Sequence, residues 1–429
     1  MITTAFINLW DERVGAVVWD GNTRKASFEY EPTFIAHQWE ISPLKMPLAQ
    51  ESRIFSFPDL ARSTTFKGLP GLLADVLPDQ YGNQLINAWL AQNGRPENSL
   101  NPVELLCFIG TRGMGALEFE PIQFQSNPTA FTIEMDNLVK ITQEVVNNRQ
   151  EFETNLNVDE QKAMLDVLKI GTSAGGARPK AIIAYNEKTG VIKSGQAKAP
   201  KGFTHWLLKL DGVSDSQFGA STGYGRVEMS YYLMAKACGI EMTESRLLEE
   251  NGRAHFMTRR FDREDGDIKH HVQTFCAMQH FDFNNVNSYS YEQLFQTMRL
   301  LRLPYPQAEQ LFRRMVFNVM SRNCDDHTKN FAFRLIKDQV WELAPAYDIC
   351  HAYRPGSEWV SQHSLSVNGK RNAIGKEDLL TIAQSMNIKK AKEIIKQTNE
   401  VIKNWDFYAT ATHIAPKLRD TIKGTLLTY

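Results

Sequence analysis

The sequence predicts an α+β protein with more than one lobe. Three observations carry this. Short β-type runs open the first hundred residues, strand signals surround a glycine-rich turn in the middle, and helical periodicity dominates the end. With 429 residues, 42% hydrophobic and 23% charged, the chain has globular composition and exceeds one ordinary core. The expected divisions are a β-rich module with helices over 1–125, a mixed α/β lobe over 126–265 and an all-α lobe over 266–429.

Ala5 to Trp10, Val14 to Asp20 and Lys25 to Tyr30 are strand candidates, punctuated by Asp11-Glu12 and Gly21-Asn22. After Pro70 the spacing becomes helical, at Leu72, Leu73, Val76 and Leu77 and again at Leu85, Ile86 and Trp89. The apolar group Val103 to Ile109 ends at the glycine-rich TRGMGALEF, and QFQSNPTA from Gln123 has the composition of a boundary loop. Ala181 to Tyr185, His205 to Leu210 and His255 to Phe261 follow as strands, with a helix over Glu228 to Cys238. Leu311, Phe312, Met315, Val316 and Val319 then repeat at helical intervals, as do Ala391, Ile394, Ile395, Val401, Ile402 and Trp405. The lysines at 389, 390, 392, 396 and 403 mostly fall off that stripe and read as a solvated face.

Lys and Arg total 48 against 49 Asp and Glu, a formal net charge of −1. No global positive field holds nucleic acid, so any such role is expected through a partner. Five scattered cysteines without a C-x-x-C pair read as reduced thiols rather than a disulfide framework or zinc site. The opening MITTAFINLWDERVG lacks the pattern of a signal peptide, and no apolar run nears the roughly 20 residues of a membrane span. A cytoplasmic protein without membrane contact is expected.

The most informative stretch is NCDDHTKN, Asn323 to Asn330, with Asp348 following in AYDI. Phosphoryl transfer needs a hydroxyl held in line with a phosphate and cations to neutralise the phosphate oxygens. An Asp, an Asn five residues later and a second Asp past a short hairpin supply those parts. Asp325 and Asn330 have that interval, whereas Asp326 lies only four residues from Asn330. By itself the pentad is a common turn pattern.

Upstream, Gly171 to Lys180 reads GTSAGGARPK, whose small residues let backbone N–H groups approach phosphate oxygens. It ends in Arg178 and Lys180 and offers two hydroxyls, Thr172 and Ser173. It is neither a Walker loop nor G-x-G-x-x-G. Lys209 ends the apolar run THWLLK, where it either reaches phosphates or snorkels to water. Glu228 is a candidate ion-pair partner for it, or an acid placed for the helix dipole. In RRFDR, from Arg259 through Phe261 to Arg263, backbone groups suit an adenine edge, or the stretch is a charged strand end. His327 lacks a second histidine at ligand spacing and reads best as a residue steadying the turn.

These motifs, in this order, resemble the HipA family of bacterial toxin kinases over nearly the whole length. GLLADVLPD and NPVELLCFIG are similar to its N-terminal module. SAGGARPK resembles its Ser-x-x-Gly-Ala-x-x-Lys phosphate loop, and THWLLK, RFDR, DDHTKN and PAYDI follow. The resemblance implies a protein-kinase-like two-lobed fold with an α/β N-terminal domain, a mostly helical C-terminal domain and ATP in the cleft. It implies Asp325 as catalytic base, Asn330 and Asp348 on Mg2+, and Lys209 on ATP phosphates. Thr172, Ser173, Ala174, Gly175, Gly176, Ala177, Lys180, Arg259, Phe261, His327 and Asn330 would line the nucleotide. Ser173, or Thr172 beside it, would be autophosphorylated, switching the kinase off by charge repulsion in the phosphate loop. The implied partners are a small helix-turn-helix antitoxin of HipB type, which would contact DNA for the complex, and an aminoacyl-tRNA synthetase as protein substrate. Asp326 departs from the best-known members, which have glycine there. Two other readings compete: a kinase-fold small-molecule phosphotransferase, and a non-enzymatic corepressor working with an antitoxin.

Overall fold

The computed structural model describes residues 2–49, 54–123, 132–147, 171, 178–195, 199–215, 219–220, 223–264 and 268–429. They form two compact units. The first holds residues 1–41, 46–225 and 245–271, the second 42–45, 226–244 and 272–429.

The first unit opens with β1 (Thr4–Leu9), β2 (Glu12–Asp20) and β3 (Lys25–Tyr30), then α1 (Pro32–Ile35) and β4 (Ile54–Ser56). Helices α2 (Gly71–Ala74), α3 (Gln80–Gln92) and α4 (Pro102–Ile109) precede β5 (Glu118–Glu120). The strands form one antiparallel sheet in the order β4-β3-β2-β1-β5. Period-2 alternation sets its faces: Ala5, Ile7 and Leu9 are buried while Thr4 and Phe6 are exposed. Gly15 is required where strands cross, since a Cβ there would lie 2.0 Å from the Glu29 carbonyl oxygen. The buried helix α4 is started by Asn101, whose side chain caps it while Glu104 bonds back to the Asn101 amide.

Past α5 (Met135–Asn147) come β6 (Lys180–Tyr185), β7 (Ile192–Ser194) and β8 (Thr204–Lys209). The two-residue strands β9 (Ser214–Asp215) and β10 (Gly219–Ala220) pair with each other, and α6 (Tyr224–Ala237) begins in this unit. Strands β11 (Ser245–Glu250) and β12 (Arg253–Arg259) complete an antiparallel sheet ordered β11-β12-β8-β6-β7. Its centre is apolar: Ala181 to Ala184, Trp206 and Leu208 are buried.

The second unit contains α6 from Arg226 onward, β13 (His271–Thr274) from Val272, α7 (Phe275–Gln279), β14 (Tyr289–Ser290), α8 (Tyr291–Leu300) and α9 (Tyr305–Ser321). Strands β15 (Ala332–Leu335), β16 (Trp341–Leu343) and β17 (Leu365–Ser366) follow, then α10 (Lys376–Met386), α11 (Ala391–Lys403), α12 (Trp405–Ala411) and α13 (Pro416–Lys423). Helix α9 is the core helix, buried from Leu311 to Ser321 apart from Arg313. The expectation of an all-α lobe is corrected: β13, β15 and β16 form a sheet, and β14 pairs in parallel with β17. These strands are two to four residues long, too short for periodicity to reveal. The helical stretch read through Trp405 is also broken at Asn404, where α11 ends and α12 begins. Trp405 is buried there, its indole donating to the Arg419 carbonyl at 3.0 Å. The lysines at 389, 390, 392, 396 and 403 are exposed, as a solvated face requires. All five cysteines are free thiols. No helix among the described residues is long and apolar enough to cross a membrane.

Candidate active site

In the first unit the two candidate phosphate lysines are strand neighbours. Lys180 on β6 pairs directly opposite Lys209 on β8, and Lys209 opposite Phe256 on β12. Directly opposed residues share a sheet face, and like charges so opposed are destabilising without an anion nearby. Asp79 supplies one: its carboxylate lies 3.7 Å from the buried Lys180 ammonium while capping α3 through the Gly82 amide at 2.7 Å. Lys209 is only half-buried, with its ammonium 6.0 Å from the centre of the Phe256 ring. Lys180, expected on ATP, is thus ion-paired to GLLADVLPD, a link the sequence reading missed.

The strand end carrying Lys209 is held by Asp211. Its amide donates to His255 Nδ1 at 2.8 Å, and its carboxylate accepts from the amides of Gly223 at 2.9 Å and Ala254 at 3.2 Å. His255 Nε2 then donates to Glu250 at 2.8 Å. Burial lowers the His255 pKa against the pull of Glu250, consistent with a neutral imidazole that accepts at Nδ1. Gly225 opens α6 because a Cβ would meet the Ala254 carbonyl oxygen at 2.0 Å. Thr172 to Ala177, the rest of the expected phosphate loop, lie outside the described residues.

RRFDR divides. The Arg260 amide is bonded to the His205 carbonyl and the Asp262 carbonyl to the His270 amide, so neither is available to an adenine edge. Asp262, fully buried, accepts from Arg260 at 2.6 Å, Arg263 at 2.8 Å and the Gly115 amide at 2.7 Å. Arg263 also donates to the carbonyls of Gly113 and Gly115. The charged half of this motif therefore anchors the TRGMG loop. Arg259, opposite Trp206, and the half-buried Phe261 are the residues left to the nucleotide expectation.

The second unit holds the acidic turn. Helix α9 ends at Arg322 in the left-handed region, φ 59°, which turns the chain into Asn323 to His327. Asn330 Nδ2 closes the turn onto the Asp325 carbonyl at 2.6 Å, leaving its side-chain oxygen free of that bond. The Asp325 side chain is 45% exposed, with His327 Nε2 3.7 Å away. Asp348, in the left-handed region at φ 54°, lines one concavity with Asn330, Asp326, Asn323, Asn318 and Arg314. Tyr347 beside it donates to the Lys329 carbonyl at 2.7 Å, tying the two motifs together. Glu228 is buried on α6 in this unit.

Asp326 is the opposite of its neighbour. It is 1% exposed, and both oxygens are engaged. One accepts from the Ser364 amide at 2.8 Å, the other from Tyr291 at 2.8 Å and His363 Nδ1 at 2.9 Å. Asn318 donates to the Tyr291 hydroxyl at 3.0 Å and Asn323 to Asn318 at 3.0 Å. Burial, then the Asp326 charge, holds the Tyr291 phenol well above its ordinary range, so it remains a donor. Burial would lower the pKa of His363, but the Asp326 charge and hydrogen bond raise it to about 10. Asp326 is a core anchor, which explains how a second acid fits this turn. His363 escaped the sequence reading because 37 residues separate it from Asp326.

The His363 shift has a measurable sign. A folded pKa above the unfolded value of about 6.5 adds stability that is fully present below that pH. It is lost progressively as pH rises toward 10. Urea midpoints of the wild type should fall over that window, and His363→Gln should lack that part of the fall.

Among the described residues no three or more His, Cys, Asp or Glu side chains gather to hold a metal ion. Asn330 and Asp348, whose side chains carry hard oxygen donors, nonetheless line one concavity. Such a pair suits Mg2+, which binds through one or two carboxylates and completes its shell with water and substrate phosphates.

Residues 5–120 match the HipA N-terminal domain, and residues 172–405 the HipA-like C-terminal domain. The chain belongs to the HipA family. The fold agrees: a Shewanella oneidensis HipA, solved with HipB and its operator DNA, superposes with a TM-score of 0.68 at 16% identity, covering 98% of this chain and 94% of that one. A Helicobacter pylori proinflammatory kinase, CtkA, is similar to 52% of this chain and 88% of its own, at 13% identity and a TM-score of 0.34. No curated protein matches. The α+β architecture of this HipA-family chain is therefore the one its ordered motifs implied.

Proposed function

We propose that this HipA-family chain is an ATP-dependent serine/threonine protein kinase with Asp325 as its catalytic carboxylate. The observation that carries the reading is the division of labour in the turn. Asp326 is consumed in the core, while Asp325 stays half-exposed with Asn330 closed onto its backbone. Asp325 would take the proton of an attacking hydroxyl as that oxygen bonds the γ-phosphorus and ADP leaves. Asn330 and Asp348 would hold magnesium, which supplies charge neutralisation at the phosphate oxygens. Lys209, Lys180 and the Thr172–Ala177 backbone would hold the phosphates, with Glu228 pairing Lys209, and Arg259, Phe261 and His327 would face the nucleotide.

Family membership supports the remaining parts. The substrate would be a protein hydroxyl, on an aminoacyl-tRNA synthetase, and Ser173 or Thr172 would be phosphorylated to inactivate the chain. The Shewanella HipA was solved with HipB and operator DNA. We extend that to a helix-turn-helix antitoxin for this chain, with DNA reached through the antitoxin, in keeping with a net charge of −1. A cytoplasmic location fits this role. Purified chain incubated with Mg-ATP should gain one phosphate on the peptide containing Thr172 and Ser173, read by intact-protein and peptide mass spectrometry. ATP turnover stimulated by a small acceptor, with no phosphoprotein formed, would replace this reading by that of a small-molecule phosphotransferase.

A further inference from the structure

We propose that His363, gripping Asp326 and Cys324, is the positioning residue that aims the Asp325 carboxylate. The inference rests on the reading of Asp325 as the phosphoryl-transfer carboxylate. Asp325 has one neighbour on each side, and both meet the same imidazole. Asp326 bonds His363 Nδ1 at 2.9 Å, and the Cys324 thiol lies 3.8 Å from His363 Nε2. All three side chains are buried, with exposures of 0 to 1%. One rigid ring therefore clamps the chain before and after Asp325, whose own side chain is 45% exposed.

The clamp is itself held. The His363 amide donates to the Arg371 carbonyl at 2.9 Å, and Arg371 donates to the carbonyls of Ser364 and Tyr289. The Ser364 hydroxyl lies 3.4 Å from the Cys324 carbonyl, and the Cys324 amide donates to the Ala352 carbonyl at 3.0 Å. Tyr291, at the start of α8, grips the same Asp326 oxygen as His363. A buried ion pair is weak evidence for stability, since an apolar replacement of similar volume is often no worse. What such a pair supplies here is a fixed direction for the residue between its two contacts. Proton abstraction in phosphoryl transfer demands that: a misplacement of about 1 Å can cost about 10²-fold in rate.

The test uses the full chain with Mg-ATP, following phosphate incorporation and ADP release at varied ATP. Asp325→Ala should be inactive, which checks the underlying reading. His363→Ala should lose about 10²-fold in kcat while KM for ATP changes less than about threefold, because ground-state binding is untouched. His363→Asn, whose amide can replace Nδ1 toward Asp326, should recover part of kcat. His363→Gln, whose amide sits nearer the Nε2 position, should recover less. If His363→Ala does not fold, the isosteric Asp326→Asn takes its place with the same expected split. Inactive Asp325→Ala together with wild-type kcat in His363→Ala overturns this inference alone, as would equal losses in kcat and gains in KM. Wild-type turnover by Asp325→Ala overturns the site reading, and the inference with it.

Discussion

Asp325→Ala should lower phosphoryl transfer by about 10²–10⁴-fold or more and leave the fold intact. The two halves of this result have separate causes. The carboxylate is the group placed to accept the hydroxyl proton, and its loss removes general-base catalysis. Its side chain is 45% exposed, with His327 Nε2 3.7 Å away. Exposed pairs contribute at most about 1 kcal/mol, so the melting temperature should hardly move. The adjacent acid should behave in the reverse way. Asp326→Ala strips the buried His363 imidazole, the Tyr291 hydroxyl and the Ser364 amide of their shared acceptor, and removing one partner of a buried pair costs about 3–5 kcal/mol. A chain in which Asp325→Ala retained activity while Asp326→Ala folded normally and lost it would exchange the two assignments. ADP release and urea melts on the two variants decide it.

Asp262→Ala should destabilise the first unit by about 3–5 kcal/mol, because it removes the counter-charge of two buried guanidinium groups. Burial raises the Asp262 pKa, but Arg260 and Arg263 more than reverse that and hold the carboxyl far below the usual carboxylate range. A depressed folded pKa means that its contribution is complete above about pH 4. The contribution is lost as pH falls below that. The wild type should thus lose its advantage over Asp262→Ala in strong acid and keep it at neutral pH. Denaturant midpoints at pH 7 measure the effect, and a difference under about 1 kcal/mol would mean that the cluster does not hold the TRGMG loop.

Local pattern carried much of the architecture. Short apolar, β-branched and aromatic runs bounded by turn residues placed β1 to β3 within two residues of their observed ends, and the stripe from Leu311 to Val319 marked α9. The five-residue interval between Asp325 and Asn330 singled out one acid of an adjacent pair, and the structure assigns the other to the core. The two- to four-residue strands of the second unit escaped because periodicity needs more residues than they contain. The pattern of RRFDR suits a strand end or an adenine contact, whereas Arg260 and Arg263 bind a loop 147 to 150 residues earlier. Nothing in a linear pattern encodes a partner at that distance.

The sequence by itself determined the order of the motifs, the family they belong to and the residue types that phosphoryl transfer needs. It did so because hydrophobic period, turn chemistry and motif spacing are local properties written along the chain. The tertiary structure alone decided what each charge faces. Asp79 meets Lys180, Asp262 meets two arginines and a glycine amide, and His363 meets both neighbours of Asp325. The physical reason is burial: an ionised group removed from water must find a partner in space, and folding, not spacing, chooses which one.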